Sequence, residues 1–128
     1  MAEGLLRVTL PECHAWSAGL GALVGYPADR NARELMQKIG LDISGHRAAM
    51  VAQQDCQLAD VILVMDAMQE QHLKSIFPFS RGKIFRLGQY GDYDIFDPYM
   101  QGAEEFERCF QLIERGVEEW ARRIRTIN

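Results

Sequence analysis

The sequence predicts a three-layer α/β sandwich, with helices on both faces of a small parallel sheet. Three observations predict it. Val61-Ile62-Leu63-Val64-Met65 is an unbroken apolar run bracketed by Asp60 and Asp66, the pattern of a strand covered on both faces and hence of a parallel sheet. Ile84-Phe85-Arg86-Leu87, ended by Gly88, reads as a second strand. Segments of helical period lie before, between and after them, and strands alternating with helices build layered α/β domains.

Taken in chain order, Ala2 to Leu10 reads as a helix with Leu5, Leu6 and Val8 apolar. It has no capping residue and no strand before it, and a segment this short is marginal without packing. Cys13-His14-Ala15-Trp16-Ser17, ended by Ala18-Gly19, is expected to form a third strand. Ala32, Leu35, Met36 and Ile39 fall at i, i+3, i+4 and i+7, with Pro27 and Asp29 ahead and Gly40 behind, which sets a helix over 30–39. A further helix is expected over roughly 67–76, and a long one over 102–125. In the latter, Phe106, Phe110, Ile113, Val117, Trp120 and Ile124 make the buried stripe, while Glu104/Arg108, Glu118/Arg122 and Glu119/Arg123 sit at ion-pair spacing on a solvated face.

Composition bounds the function. The 128 residues, 48% hydrophobic and 25% charged, suit one domain over 1–128. No apolar run approaches the ~20 residues of a membrane-spanning helix, and Met1-Ala2-Glu3-Gly4 lacks the basic start and apolar stretch of a signal peptide, so a cytoplasmic location without membrane insertion is expected. A net charge of −4 argues against nucleic acid as a partner. Cys13, Cys56 and Cys109 are odd in number and widely spaced, which does not make a disulfide framework, and His14, His46 and His72 have no paired spacing with cysteine that suggests zinc. No metal and no cofactor is expected.

Ligands of open α/β sheets bind outside the carboxyl ends of the strands. Here those ends are Ser17-Ala18-Gly19, Met65-Asp66 and Leu87-Gly88, and the longest stretch without periodicity, Gly88 to Tyr99, leaves one of them. Within it, Asp97 stands out. Pro98 stiffens the backbone after it, and Phe96 and Tyr99 are expected to desolvate its carboxyl toward general-acid range; the local alternative is an Asp-Pro turn ahead of the last helix. Asp66 sits at a site-facing strand end and is assigned no catalytic role.

The segments Trp16-Ser17-Ala18-Gly19-Leu20-Gly21-Ala22-Leu23-Val24-Gly25, Pro27-Ala28-Asp29, Ser44-Gly45-His46-Arg47, Val61 to Asp66 and Asp97-Pro98-Tyr99, in that order, resemble the low-molecular-weight protein-tyrosine phosphatases over the whole chain. The Ser-Ala-Gly-Leu-Gly-Ala segment is most similar to the bacterial branch often associated with exopolysaccharide production. The resemblance implies a four-stranded parallel sheet flanked by helices, and hydrolysis of phosphotyrosine through a cysteinyl-phosphate without metal or cofactor. It implies that Asp97 is the general acid, that Ser17 and His46 hydrogen-bond the phosphate-binding loop from behind, that Leu20 to Leu23 wall the pocket mouth, and that Tyr99 faces the substrate ring. A phosphotyrosine protein, a bacterial tyrosine kinase among the candidates, is the implied partner. On the residues alone, Ser17 is an ordinary strand-end hydroxyl and His46 a residue near a helix start.

The sequence departs from the family at its catalytic element. That element is Cys-x5-Arg-Ser/Thr-Pro, whose amides and arginine cradle the phosphate and lower the thiol pKa. Met1 stands where the residue after the Pro is expected, so the first strand and the loop are read as missing, with an in-frame extension upstream of Met1. Cys13 and Cys56 have Gly19 and Ile62 six positions on. Cys109 and Arg115 match the spacing, but inside the last helix, where the amides are already bonded and Gly116 follows the arginine. The chain as given is therefore expected to be inactive, with unpaired strand edges inviting self-association. A non-catalytic remnant acting as a binding protein is the alternative. A thioredoxin-coupled arsenate reductase is disfavoured, because Cys56 and Cys109 lack the expected paired spacing.

Overall fold

The side chains of two short strands divide the molecule into its layers. The computed structural model describes residues 1–21 and 24–127, and within it β1 (Ile62–Val64) pairs in parallel with β2 (Ile84–Arg86), Ile62 opposite Ile84 and Val64 opposite Arg86. Successive strand residues point to opposite faces. Ile62, Val64 and Ile84 pack with Cys56 of α3 (Gln53–Leu58) and Leu73 of α4 (Ala67–Ile76). Leu63, Met65 and Phe85 pack on the other side, with Leu5 of α1 (Ala2–Thr9), Met36 of α2 (Arg30–Lys38) and the apolar stripe of α5 (Ala103–Ile127). The result is the expected sandwich, with α1, α2 and α5 on one face and α3 and α4 on the other.

The larger cluster is built on α5. Phe106, Phe110, Ile113, Val117 and Trp120 are all buried, as their spacing predicts. Trp120 also fastens the helix to the sheet: its Nε1 donates to the Arg86 carbonyl at 3.2 Å, and its ring lies 5.3 Å from that of Phe85. Closer still is Gly116, where a Cβ would stand 2.8 Å from Leu87 Cγ and 2.9 Å from the Leu87 carbonyl oxygen. A glycine in a helix interior costs about 1 kcal/mol against alanine; here it allows α5 to touch the end of β2.

Helix starts follow their caps. Asp29 accepts from the Asn31 amide at 2.8 Å and starts α2. Asp66 accepts from the Gln69 amide at 2.7 Å while Gln69 Oε1 accepts from the Met65 amide at 2.8 Å, which gives Asp66 a structural duty at the head of α4. As expected, no side chain caps α1; it is held by packing on α5, with Leu5 buried and Val8 exposed.

Several expectations need correction. Cys13 to Ser17 belongs to no strand, because a strand is defined by its ladder and this segment has no ladder partner among the described residues. The sheet described has two strands rather than the four implied. β1 is also less enclosed than its apolar run suggests: Ile62 and Leu63 are half-buried, and Val61, before the strand, is 38% exposed. Ile39 ends α2 as its C-cap and is exposed instead of completing the buried face. On α5 the ion pairs actually made are Arg108 with Glu105 and Arg115 with Glu119, since side-chain rotamers choose among neighbours at both i+3 and i+4. The α3 helix was not expected, because only one of its six residues, Cys56, is buried and no periodicity marks it.

Candidate active site

The segment carrying Asp97 is tied down at every step from the end of β2. After Leu87, whose amide donates to Val64 O at 2.8 Å, the chain makes a 3-10 turn over Gln89–Gly91 and passes through Asp92 in the left-handed region, φ 53°. Tyr93 then turns inward, its hydroxyl donating to the Leu112 carbonyl of α5 at 2.9 Å. The Ile95 amide donates to Met65 O at 2.8 Å, extending the pairing at the carboxyl end of β1, and the Cys109 thiol donates to the Phe96 carbonyl at 3.3 Å. Asp97 follows, its Oδ1 accepting from the Tyr99 amide at 3.0 Å, with Pro98 buried between them. The Asp-Pro turn and the site-facing carboxylate are thus one structure. Met100, at φ 67°, then leads into α5.

The desolvation expected of Phe96 and Tyr99 does not occur. Asp97 is exposed and Tyr99 is 58% exposed, because the turn projects both outward at the sheet edge. An exposed carboxylate with only one backbone donor keeps a free oxygen for a ligand. Tyr99 is likewise free to meet one.

Ser17 and His46 come together on a residue that no motif or spacing singles out. Glu3, in the first turn of α1 and largely buried, accepts from Ser17 Oγ at 2.7 Å, lies 4.0 Å from His46 Nδ1 and pairs with Arg7 at 3.3 Å. Its only sequence signal is an acidic residue in the first turn of a helix, which favours helix starts in general. His46 lies beyond the Ser44-Gly45 turn rather than near a helix start, its amide donating to Ile43 O at 3.1 Å. The strand-like stretch behind it is stitched to the preceding loop by Gly19 N to Ala49 O and Val51 N to Gly19 O, at 2.8 and 2.9 Å. Ser17, Ala18, Gly19, His46, Ala48 and Ala49 line an open groove of about 210 Å³ there.

Leu20, expected at the pocket mouth, is half-buried against the α3 and α4 cluster, so only part of it remains for a ligand. Leu23 lies outside the described residues.

Cys109 is the one cysteine at Cys-x5-Arg spacing, and its surroundings are those of an inert thiol. It is buried in α5, 2% exposed, and burial, with the nearby Asp97 charge adding to it, pushes the thiol up to about 11, against a smaller opposing effect of the Met1 ammonium. A nucleophilic cysteine needs the reverse, an electropositive and partly exposed setting. Cys109 is bonded to the Phe96 carbonyl, one residue before Asp97, and shares its apolar cluster with Met1, so the acid turn and the start of α1 meet around it. No group of three His, Cys, Asp or Glu side chains among the described residues is arranged to hold a metal ion.

What the arrangement offers is an exposed carboxylate on a rigid turn, an aromatic beside it, a buffered serine and histidine pair on Glu3, and a helix start with no side-chain cap whose free amides suit an anion. Comparison with known proteins bears on the family. The family model for low molecular weight phosphotyrosine protein phosphatase matches residues 1–127. EpsP of Ralstonia nicotianae, named a probable low molecular weight protein-tyrosine-phosphatase, is 46% identical over 99% of this chain and 88% of its own length. Among solved structures, Wzb of Vibrio vulnificus in complex with benzylphosphonate superposes with a TM-score of 0.91 at 35% identity, covering 95% of this chain and 87% of that one. The tyrosine phosphatase Wzb of Escherichia coli K30 in complex with sulphate gives 0.92 at 35% identity, covering 96% and 87%. These matches run along the chain from end to end and give no support of their own to the expectation of a shortened N-terminus. On the strength of the family match and of this similarity, the chain belongs to the low molecular weight protein-tyrosine phosphatase family.

Proposed function

We propose that the reaction served by this site is hydrolysis of a phosphotyrosine ester in a cytoplasmic protein, with Asp97 as general acid. The observation that carries it is the Asp97 carboxylate, exposed at the carboxyl edge of the sheet on a turn fixed by the Tyr99 amide. In the reaction, a thiolate attacks phosphorus, the bond from phosphorus to the tyrosyl oxygen breaks, and the Asp97 proton goes to that oxygen. The resulting carboxylate then takes a proton from the water that attacks phosphorus and releases the thiolate. Asp97 thus ends the cycle protonated again. Tyr99 faces the substrate ring, and the exposed part of Leu20 walls the pocket mouth. Ser17 and His46, coupled through Glu3, hold the phosphate-binding loop from behind.

The residues given supply the acid and the walls of this site. They contain no Cys-x5-Arg-Ser/Thr-Pro element, and the buried Cys109 cannot replace it. We infer that the 128 residues by themselves do not turn over phosphotyrosine, a thiolate nucleophile and a phosphate cradle each being needed for a separate step. The relatives EpsP and Wzb are named as protein-tyrosine-phosphatases, which supports phosphotyrosine in a protein as the substrate class; a bacterial tyrosine kinase as that protein is part of the proposal. The test is leaving-group dependence: with a cysteine loop joined ahead of Met1, Asp97→Asn should slow an aryl phosphate with a poor leaving group far more than an activated one, and equal losses would remove Asp97 from the acid role.

A further inference from the structure

Arg86, the last residue of β2, makes a fork that no part of the reaction so far requires. Its Nη1 donates to Asp94 Oδ1 and its Nη2 to Asp92 Oδ1, both at 3.0 Å. The Arg86 side chain is 20% exposed, while Asp92 is 91% and Asp94 50% exposed. Ordinary surface ion pairs contribute little to stability. This one differs in what it connects. Asp94 Oδ1 also accepts from the Ala67 amide at the head of α4, at 3.2 Å, so a single carboxylate joins the end of β2 to the start of α4 across the loop that carries Asp97.

The two aspartates flank Tyr93, which is anchored to α5 through its hydroxyl and lies under Arg115, 4.8 Å from guanidinium carbon to ring centre. Asp92, Tyr93 and Asp94 are therefore gripped on three sides, and the grip holds Asp92 in a left-handed conformation that a non-glycine residue rarely adopts. From there Ile95 is bonded to Met65 and Phe96 to Cys109, leaving few free torsions before the Asp97 carboxylate. A planar guanidinium suits this duty because its donors diverge at fixed angles and can span two acceptors, which an ammonium on a flexible stem does not do equally well.

We propose that Arg86 is a positioning residue for Asp97, acting through the Asp92 and Asp94 carboxylates to hold the acid turn in register with the sheet edge; this rests on the acid role proposed above. Amide hydrogen exchange on the full 128-residue chain tests it without any turnover. In Arg86→Gln the Ile95 and Tyr99 amides should exchange about tenfold faster or more, corresponding to ~1.4 kcal/mol of lost local protection, while the α5 amides from Cys109 to Ala121 stay unchanged. Arg86→Lys, which keeps the charge but not the fork, should remain loosened, and Asp94→Asn, which leaves the arginine in place, should loosen the same two amides if the Gln variant does not fold. Unchanged exchange at Ile95 and Tyr99, equal acceleration along α5, or full protection in the Lys variant would each overturn the proposal. With a cysteine loop joined ahead of Met1, Arg86→Gln should reproduce in smaller degree the leaving-group selectivity of Asp97→Asn. Equal loss on both substrates, when Asp97→Asn is selective, would overturn the positioning role; absence of selectivity in Asp97→Asn itself would sink the acid role while exchange alone decides whether the fork holds the turn.

Discussion

Alkylation of Cys109 is expected to be slower than that of an ordinary thiol by more than two orders of magnitude. The thiolate is the reactive form. With the Cys109 thiol pushed up to about 11, roughly 0.1% of it is ionised at pH 8, whereas a free cysteine near 8.5 is roughly a quarter ionised. The ratio is about 200-fold before any steric protection from burial in α5. Cys13, only partly buried and just beyond the C-terminal end of α1, is an internal reference in the same chain. Iodoacetamide labelling followed by peptide mass spectrometry at several times gives both rates. Labelling of Cys109 at pH 6–7 as fast as Cys13 would refute the reasoning and reopen Cys109 as a nucleophile. The same group makes a linked prediction for stability. The folded state holds a proton on Cys109 that the unfolded chain has lost above pH 9, so stability falls as pH rises from about 9 to 11, by on the order of 3 kcal/mol. Tyr93, whose phenol burial also pushes up, contributes in the same direction at the upper end.

Three other outcomes follow from the geometry. Asp97→Asn, in a form supplied with the cysteine loop, should lower turnover of a poor leaving group by about 10²–10⁴-fold, the usual worth of general-acid assistance, and barely affect an activated aryl phosphate. Gly116→Ala should destabilise the chain by up to about 2 kcal/mol in urea titrations, because the contact with Leu87 backbone cannot relax and its overpacking cost of about 1–3 kcal/mol offsets or exceeds the ~1 kcal/mol gain in helix propensity; a stabilised variant would show that α5 and β2 can move apart. Isolated 1–128 should bind a hydrophobic dye or self-associate through the free edge of β1 and the unpaired segment 13–17, and a sharp, reversible unfolding of a monomer would contradict this.

The parts of the fold legible in the sequence were those whose signal is local. A cap and a buried stripe lie within each helix's own residues, which is why 30–38, 67–76 and 103–127 agree with their spacing to within a residue or two. Cys13 to Ser17 misled because strand identity belongs to a partner elsewhere, and apolar residues with a glycine behind them do not supply one. At the site, the turn at Asp97 was legible from Asp-Pro-Tyr, while the acid role proposed for it rests on the family resemblance. The exposure of Asp97 was not legible, since it depends on a turn aimed outward by Pro98 and Met100. Glu3 as the meeting point of Ser17 and His46, and the Arg86 fork, were illegible for the same reason: each joins residues brought together only by loop closure, across 14 residues in one case and across a left-handed Asp92 in the other.

The central proposal is that Asp97 serves as the acid of a phosphatase site whose nucleophile these 128 residues do not supply. Assaying purified 1–128 with an activated aryl phosphate measures it most directly. Release of the aryl alcohol should not exceed the buffer rate, and Cys109→Ser should change nothing. Turnover above that rate, above all turnover abolished by Cys109→Ser, would contradict the account and place a working nucleophile inside α5.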